Sequence, residues 1–216
     1  MNKSLYFLPI GYRQRTDPQY FQDDGSSDII WQPDVYTEAL SIAKRHNRNV
    51  IIDLGCGRAT KLSALAEENP DLKFFGVDYG ENFRWCLEKV PQGKFFEVDL
   101  EIALTIDIDA SIISRSVVVC SDVLEHLINP LSAMALIRWL LKQGSARAIL
   151  STPARDKRAG LCHLGPPYNP SHVREWACDE FCAFVESCGL DIETFSLTRS
   201  DDKGGGKTTQ LAIVRL

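Results

Sequence analysis

Five short apolar segments between residues 49 and 152 constrain the fold more than any other feature of this sequence. Each is rich in β-branched or aromatic residues, and together they are NVIIDLG (49–55), KFFGVD (73–78), KFFEVD (94–99), SVVVCSD (116–122) and ARAILST (146–152). Nearly continuous apolar strands of this length are typical of a parallel sheet that is buried on both faces. Helical patterns lie between them over 58–69, over 80–89 and from Asn129-Pro130 to about Gly144. This alternation predicts an open α/β sheet with right-handed crossovers.

The remaining segments extend the same domain. Pro33–Lys44 precedes the first strand and Asp179–Cys188 follows the fifth, each with a helical pattern. The last two runs, DIETFSLT and TTQLAIVRL, flank a Gly-rich tip and predict a hairpin. The tip GGGKTT resembles the end of a phosphate-binding loop, but Asp201 replaces the first glycine and a strand pattern follows it. We predict one domain over 1–216, with an N-terminal cap segment and helix over 1–46 and a loop insertion over 153–177.

Composition restricts the classes of partner. The 216 residues are 44% hydrophobic and 25% charged, with a net charge of −5, which gives no electrostatic reason to expect nucleic acid. No apolar run approaches the ~20 residues of a membrane span, and the N-terminus shows no small-residue cleavage site of a secretory signal. Seven irregularly spaced cysteines predict reduced thiols and hence a cytoplasmic location.

The segment VIIDLGCGR is a strand that runs into a Gly-x-Gly turn and then a helix. Gly55 and Gly57 permit a close backbone approach to a ligand, and Asp53 lies on the strand just before the turn. The second and third strands end in Asp78 and Asp99, so three acids meet at the carboxyl edge of the sheet, where α/β sheets bind ligands. This arrangement indicates a nucleotide-like ligand. A dehydrogenase-like protein and a non-catalytic nucleotide binder remain alternatives.

The motifs DLGCG, GVDYG, FEVDL and CSDVLEHL, in this order, resemble those of the class I S-adenosylmethionine-dependent methyltransferases. The resemblance extends from Pro33 to the last strand and implies a Rossmann-like sheet of order 3-2-1-4-5-7-6 with the last strand antiparallel. It implies S-adenosylmethionine as the cofactor. The cofactor residues that it implies are Asp53, Gly55 and Gly57 at the methionine end, Asp78 with Tyr79 at the ribose, Asp99 with Leu100 at the adenine, and Ser121 on the fourth strand.

Methyl transfer from a sulfonium depends mostly on alignment, and a hydroxyl acceptor also needs help to lose its proton. SDVLEH offers Asp122, Glu125 and His126, which one helical turn would place on the same face. His172 follows the fifth strand over the same sheet edge, so we expect it to face His126. We predict that Glu125, His126 and His172 are catalytic, through proton transfer or orientation.

DVLEH and HVREW also resemble the metal-binding sequences of small-RNA 2′-O-methyltransferases, with Asp122 in place of a glutamate. This second resemblance implies Asp122, Glu125, His126 and His172 as candidate ligands of a divalent metal. Many other methyltransferases carry VLEH without a metal, and metal-free chemistry is the favoured interpretation.

The segment LGPPYNPSHVREW (164–176) contains three prolines, which exclude a helix or a central strand. In an extended chain His172, Arg174 and Trp176 share one side, so we expect this segment to form a wall of the acceptor pocket. Tyr168 and Trp176 would offer flat surfaces, and Arg155 and Arg174 would bind an anionic group.

GPPYNPSHVREW resembles methyltransferases that modify the sugars of bacterial surface polysaccharides, which implies a glycan or another small hydroxyl acceptor. Two alternatives remain at this point, a terminal RNA methyltransferase and a cofactor-binding regulatory protein without catalysis. The sequence leaves the oligomeric state open.

Overall fold

The computed structural model describes residues 6–23, 29–89 and 93–216, which build one seven-stranded sheet with helices on both faces. The strands are β1 Val50–Leu54, β2 Lys73–Asp78, β3 Lys94–Glu97, β4 Ser116–Ser121, β5 Ala148–Pro153, β6 Asp191–Arg199 and β7 Lys207–Arg215. The helices are α1 Pro33–Arg45, α2 Thr60–Glu68, α3 Glu81–Lys89, α4 Ala110–Ile113, α5 Pro130–Lys142, α6 Arg155–Arg158 and α7 Cys178–Ser187. Residues 1–5 and 24–28 of the predicted N-terminal cap segment lie outside the described residues.

The strand order is β3-β2-β1-β4-β5-β7-β6. Strands β1 to β5 are parallel to one another, and β7 is antiparallel to both β5 and β6. Every residue of β1, β4 and β5 is buried, as their continuous apolar sequences require. The predicted fold class, strand order and antiparallel last strand are therefore confirmed.

The core has two parts, one on each face of the sheet. On one face, buried side chains of α1 and α2 pack on β1, β2, β4 and β5. On the other face, α5 and α7 contribute the apolar stripe that the sequence predicted, including Leu136, Phe181 and Phe184. The four-residue helices α4 and α6 have too few residues to show a helical period, and the sequence did not predict them.

The N-terminal segment 6–19 runs along the 153–177 loop and orders it. The amides of Arg13, Arg15 and Gln19 donate to the carbonyls of Leu164, Val173 and Pro170 at 2.8, 2.8 and 3.1 Å. These bonds satisfy backbone groups that the proline-rich segment cannot pair within itself. No helix in the described ranges has the length and apolar character to cross a membrane.

Candidate active site

A cavity of about 670 Å³ opens at the carboxyl ends of β1, β2 and β4. This is the edge at which α/β sheets bind ligands. Seven of the eight residues predicted for the cofactor line it: Gly55, Gly57, Asp78, Tyr79, Asp99, Leu100 and Ser121. The structure brings these seven together, whereas the eighth, Asp53, does not line the cavity.

Both glycines of the Gly-rich turn have a positive φ, a conformation that favours glycine. Gly55 has a φ of +75°, and a Cβ there would lie 2.3 Å from a methyl carbon of Val123. Gly57 has a φ of +58°, and its amide donates to Oδ2 of Asp78 at 2.7 Å. This hydrogen bond connects the turn directly to the acid at the end of β2, so two of the segments that line the cavity are held together.

Asp78 and Asp53 are both acids in protected surroundings. Burial raises the pKa of Asp78 to about 6, although it accepts hydrogen bonds from the amides of Tyr79 and Gly57. Burial also raises the pKa of Asp53 to about 6, and its Oδ2 accepts from the Tyr36 hydroxyl at 2.6 Å. Oδ1 of Asp53 is buried and has no hydrogen-bond partner among the described residues. Asp53 therefore connects β1 to Tyr36 of α1 through one carboxylate oxygen, and the other oxygen is free to accept a hydrogen bond.

The predicted adenine and ribose residues differ in exposure. Leu100 is buried, and Asp99 uses Oδ1 to accept from the amide of Glu101 at 2.9 Å. Tyr79 is 53% exposed, and its carbonyl accepts from the Tyr20 hydroxyl at 2.6 Å. The N-terminal segment therefore contacts the ribose side of the cavity directly.

The SDVLEH segment forms a turn, and the helix predicted there is wrong. Asp122 takes a φ of +60°, which a right-handed helix does not allow, and no helix begins between the end of β4 and Pro130. The turn still places His126 beside His172, with ring centroids 4.6 Å apart and ring planes at 86°. The two rings lie together as expected, while their catalytic role stays a prediction.

The hydrogen bonds of the two imidazoles define their tautomers. Nδ1 of His126 lies 3.1 Å from the carbonyl oxygen of Ser171, which only accepts, so the lone pair of His126 is on Nε2. Nδ1 of His172 donates to Glu175 at 2.7 Å, and Nε2 accepts from Asn169 at 2.9 Å. Burial, helped by the nearby His172, lowers the pKa of His126 to about 4. His126 lines the cavity as a neutral imidazole.

Glu125 lies behind His126 and is completely buried. Neither of its carboxylate oxygens has a hydrogen-bond partner among the described residues. Burial and the neighbouring Asp122 carboxylate raise the pKa of Glu125 well above its usual range. Ligand atoms offered by Glu125, His126 and His172 all lie within 4.8 Å of one another. These three side chains therefore fit a divalent cation.

Asp122, the fourth candidate ligand, is not part of that group. Its Oδ1 accepts from Nε2 of Gln32 at 2.6 Å. Gln32 is itself buried, and its Oε1 accepts from the hydroxyls of Ser121 and Ser151. The left-handed backbone and the bond to Gln32 explain why Asp122 does not join the group as the sequence predicted.

The two arginines predicted to bind substrate are structural. Arg155 is 1% exposed, pairs with Glu180 at 2.5 Å and donates to the carbonyls of Leu161, His163 and Glu175. Arg174 is also 1% exposed and donates to Gln14 and to the carbonyls of Leu127 and Ile128. Neither residue lines the cavity, because their guanidinium donors satisfy carbonyls of the irregular loops around them.

Trp176 and Tyr168 do not line the cavity either. Trp176 is completely buried, stacks on Phe184 at 5.1 Å and donates to the carbonyl of Tyr6 at 2.9 Å. Tyr168 is 79% exposed and contacts the ring of His163. The expected alternation of His172, Arg174 and Trp176 along one side is wrong, because the chain turns here and His172 bonds to Glu175 instead.

The residues that line the cavity in their place come from the N-terminal part of the chain. Tyr20, Phe21 and Trp31 are each 43–53% exposed, and all three line the cavity. The ring of Phe21 lies 5.3 Å from that of His126. Trp31 forms a β-bridge with Asp201 at the tip of the β6–β7 hairpin. The only sequence signal for these residues was a group of aromatic side chains in a segment without periodicity. Sequence reasoning missed them because their positions depend on contacts with residues about 105 and 170 positions away.

Comparisons with known proteins agree with this geometry. Residues 52–146 match the family model described as "Methyltransferase domain". The methyltransferase domain of bacterial CtHen1 is 22% identical, with a TM-score of 0.60 over 86% of this chain and 98% of that one. The small RNA methyltransferase HEN1 is 19% identical, with a TM-score of 0.59 over 91% of this chain and 27% of that one. The O-methyltransferase NcsB1 from neocarzinostatin biosynthesis, in complex with S-adenosylmethionine, is 15% identical, with a TM-score of 0.57 over 82% and 52%. No curated protein sequence is significantly similar to the chain.

Proposed function

We propose that the chain is an S-adenosylmethionine-dependent methyltransferase and that it transfers the methyl group to a hydroxyl of a sugar or another small acceptor. The observation that carries the proposal is the neutral His126, which lines the cofactor cavity with its lone pair on Nε2. An imidazole with a free lone pair accepts the proton that a hydroxyl must lose when its oxygen attacks the sulfonium methyl group. Amine acceptors that arrive unprotonated have less need of such a base.

His172 and Glu175 support His126 in this role. The edge-to-face contact between the two imidazoles limits the rotation of His126, and the bond that its Nδ1 donates to the Ser171 carbonyl fixes its tautomer. When His126 takes up the proton, the burial that lowers its pKa favours release of that proton from the imidazolium. The imidazolium then returns the proton to solvent after the methylated product leaves.

The acceptor wall belongs to the N-terminal segments. Phe21 and Trp31 present partly exposed aromatic faces to the cavity on the side of His126 and Asp122. Flat aromatic faces bind the apolar face of a sugar or another ring and leave its hydroxyls free to turn towards the base. The slightly acidic net charge favours a neutral acceptor of this kind over a polyanion.

The test is a transfer experiment with methyl-labelled S-adenosylmethionine and fractionated cell material. We expect label in a carbohydrate or small-hydroxyl fraction as a methyl ether, which resists mild base, and no transfer by the His126→Gln variant. A base-labile methyl ester, or label on nitrogen, would contradict the hydroxyl acceptor. A folded wild-type protein that binds the cofactor but labels no fraction would favour a regulatory protein instead.

A second function, methylation of the 2′-hydroxyl at an RNA 3′ end, is favoured by the group of Glu125, His126 and His172 and by the likeness to HEN1. These residues would hold a divalent cation through the unpartnered oxygens of Glu125, through Nε2 of His126, and through Nε2 of His172, which would first have to release the Asn169 amide. Such a cation, when bound, supplies a Lewis acid for vicinal hydroxyls. Glu175 and the Ser171 carbonyl would orient the two imidazoles as outer ligands.

The two functions are separated by a short RNA with a free 3′-terminal ribose, incubated with S-adenosylmethionine and either Mn²⁺, Mg²⁺ or a chelator. Metal-dependent protection of the terminal diol from periodate would establish the RNA function. Direct Mn²⁺ binding by wild type that is lost in His172→Gln and kept in His46→Gln, a control at a half-buried histidine that does not line the cavity, would locate the metal independently of activity.

A further inference from the structure

We infer that Asn82 is a positioning residue that couples the occupied cofactor site to His126 through Phe21. Asn82 lies in the first turn of α3 and is 5% exposed. It lines the cavity together with Asp78, the acid predicted to bind the ribose, and its side chain hydrogen-bonds to residues 18–23, which we call the strap. The inference depends on the proposed role of His126, but its test measures only how ligand binding changes the strap and the surroundings of the His126 ring.

The strap contacts the wall of the cofactor cavity through few bonds. The Tyr20 hydroxyl donates to the carbonyl of Tyr79 at 2.6 Å, and Oδ2 of Asp23 accepts from the amide of Arg58 at 3.1 Å. The Tyr20 and Phe21 side chains are about half exposed, so burial alone holds the strap weakly. Its position is therefore determined by these hydrogen bonds.

Asn82 makes the central bonds of this set. Its Oδ1 accepts from the amide of Asp23 at 2.9 Å, and its Nδ2 donates to the carbonyl of Phe21 at 3.2 Å. The same residue lines the cavity together with Asp78, where it opposes the rise that burial imposes on the pKa of that carboxyl. One buried amide at the cavity wall thus holds two main-chain groups of the strap, beside the acid predicted to bind the ribose.

Phe21 carries this connection to the reaction centre. Its main chain is held by Asn82, and its ring lies 5.3 Å from His126 at 47°. His126 is enclosed between this ring and that of His172, which is 4.6 Å away. The position of the strap therefore determines whether one face of His126 is covered.

Cofactor binding acts on this path at the cavity wall. Asp78, Asn82 and Tyr20 line the same cavity, so a ligand that fills it limits the movement of the Asn82 side chain and of the strap. The strap then stays closed and Phe21 covers His126. Binding is consequently ordered, with the cofactor before the acceptor, and the acceptor wall is complete only when the cofactor is bound.

The experiment measures amide hydrogen exchange of the strap and the imidazole proton resonances of His126, each with and without S-adenosylhomocysteine. In wild type we expect the ligand to slow exchange of the amides of residues 19–23 about tenfold, as the stabilisation worth one hydrogen bond would, and to shift the His126 signal through the Phe21 ring current. Asn82→Ala should lose both responses at saturating ligand, with ligand affinity lowered about tenfold at most.

Two further variants separate the steps. Phe21→Leu should keep the strap protection and lose the His126 shift, whereas Asn69→Ala, a control amide at the end of α2, should keep both. The inference is overturned if the ligand leaves strap exchange in wild type unchanged, or if Asn82→Ala retains the His126 shift. Because neither readout uses an acceptor, a failure here leaves the hydroxyl acceptor to its own test.

Discussion

Replacement of Asp78 by Asn gives the most direct measure of the cofactor site. Asp78 accepts hydrogen bonds from the backbone amides of Gly57 and Tyr79 at 2.7 and 2.8 Å, and it lines the cavity. Two ribose hydroxyls that lose a charged acceptor should cost about 1.5–3 kcal/mol, which corresponds to an affinity for S-adenosylhomocysteine lower by roughly 10- to 150-fold. Isothermal titration calorimetry at pH 8 measures this loss. Glu97→Gln, an exposed acid at the end of the adjacent β3, is the matched control and should bind as wild type does.

The pH dependence of binding tests the same reasoning with its sign. Burial raises the pKa of Asp78 to about 6, so the carboxylate is ionised at pH 8 and becomes protonated as the pH falls through 6. The dissociation constant of wild type should therefore rise by up to about tenfold per pH unit below 6. Asp78→Asn should show a flat profile over this range.

Asp53, whose pKa is also about 6, provides the discriminating outcome. It does not line the cavity, so it should add little to the slope. An Asp78→Asn variant that keeps the wild-type slope would assign the titration to Asp53. Unchanged affinity at pH 8 would remove Asp78 from the ribose site and refute the reasoning.

Three other predictions concern the acceptor side. Trp176→Ala should lower the free energy of unfolding by about 3–5 kcal/mol in urea titrations, because a completely buried indole is lost, while the exposed Tyr168→Ala should change it by less than about 0.5 kcal/mol. Trp31→Ala should raise the KM for the acceptor and leave the calorimetric affinity for S-adenosylhomocysteine unchanged; a loss of cofactor affinity would place Trp31 at the other ligand. His126→Gln should lower kcat by about 10²- to 10⁴-fold with unaltered cofactor affinity, and full activity in this variant would exclude His126 as the base.

Local sequence determined the sheet and the cofactor edge of this protein. Short apolar runs that alternate with helical patterns can bury both faces only as central parallel strands, and the order 3-2-1-4-5-7-6 followed from the resemblance that the motifs carry. Asp78 ends a strand, and Gly55, Gly57 and Asp99 lie within three residues after the end of one. Parallel strands bring their carboxyl ends to one edge, so the position of these residues in the chain was sufficient to place them in space.

Tertiary structure alone decided the other wall. Arg155, Arg174 and Trp176 lie in a segment whose sequence suggests an exposed loop, yet they are at most 1% exposed because the N-terminal segment and α7 cover them. Phe21 and Trp31 line the cavity, where Arg155, Arg174 and Trp176 had been expected.

The physical reason is the range of the interactions involved. Periodicity and turn chemistry reflect neighbours a few residues apart, whereas Phe21 meets His126, and Gln32 meets Asp122, across 105 and 90 positions of the chain (126 − 21 and 122 − 32). Irregular segments have no repeating pattern that marks which side faces a partner, and a buried arginine is recognisable only when the carbonyls that it satisfies are in place. The sequence by itself thus determined which edge of the sheet carries the predicted cofactor residues, and the packing of distant irregular segments decided what lines the rest of the cavity.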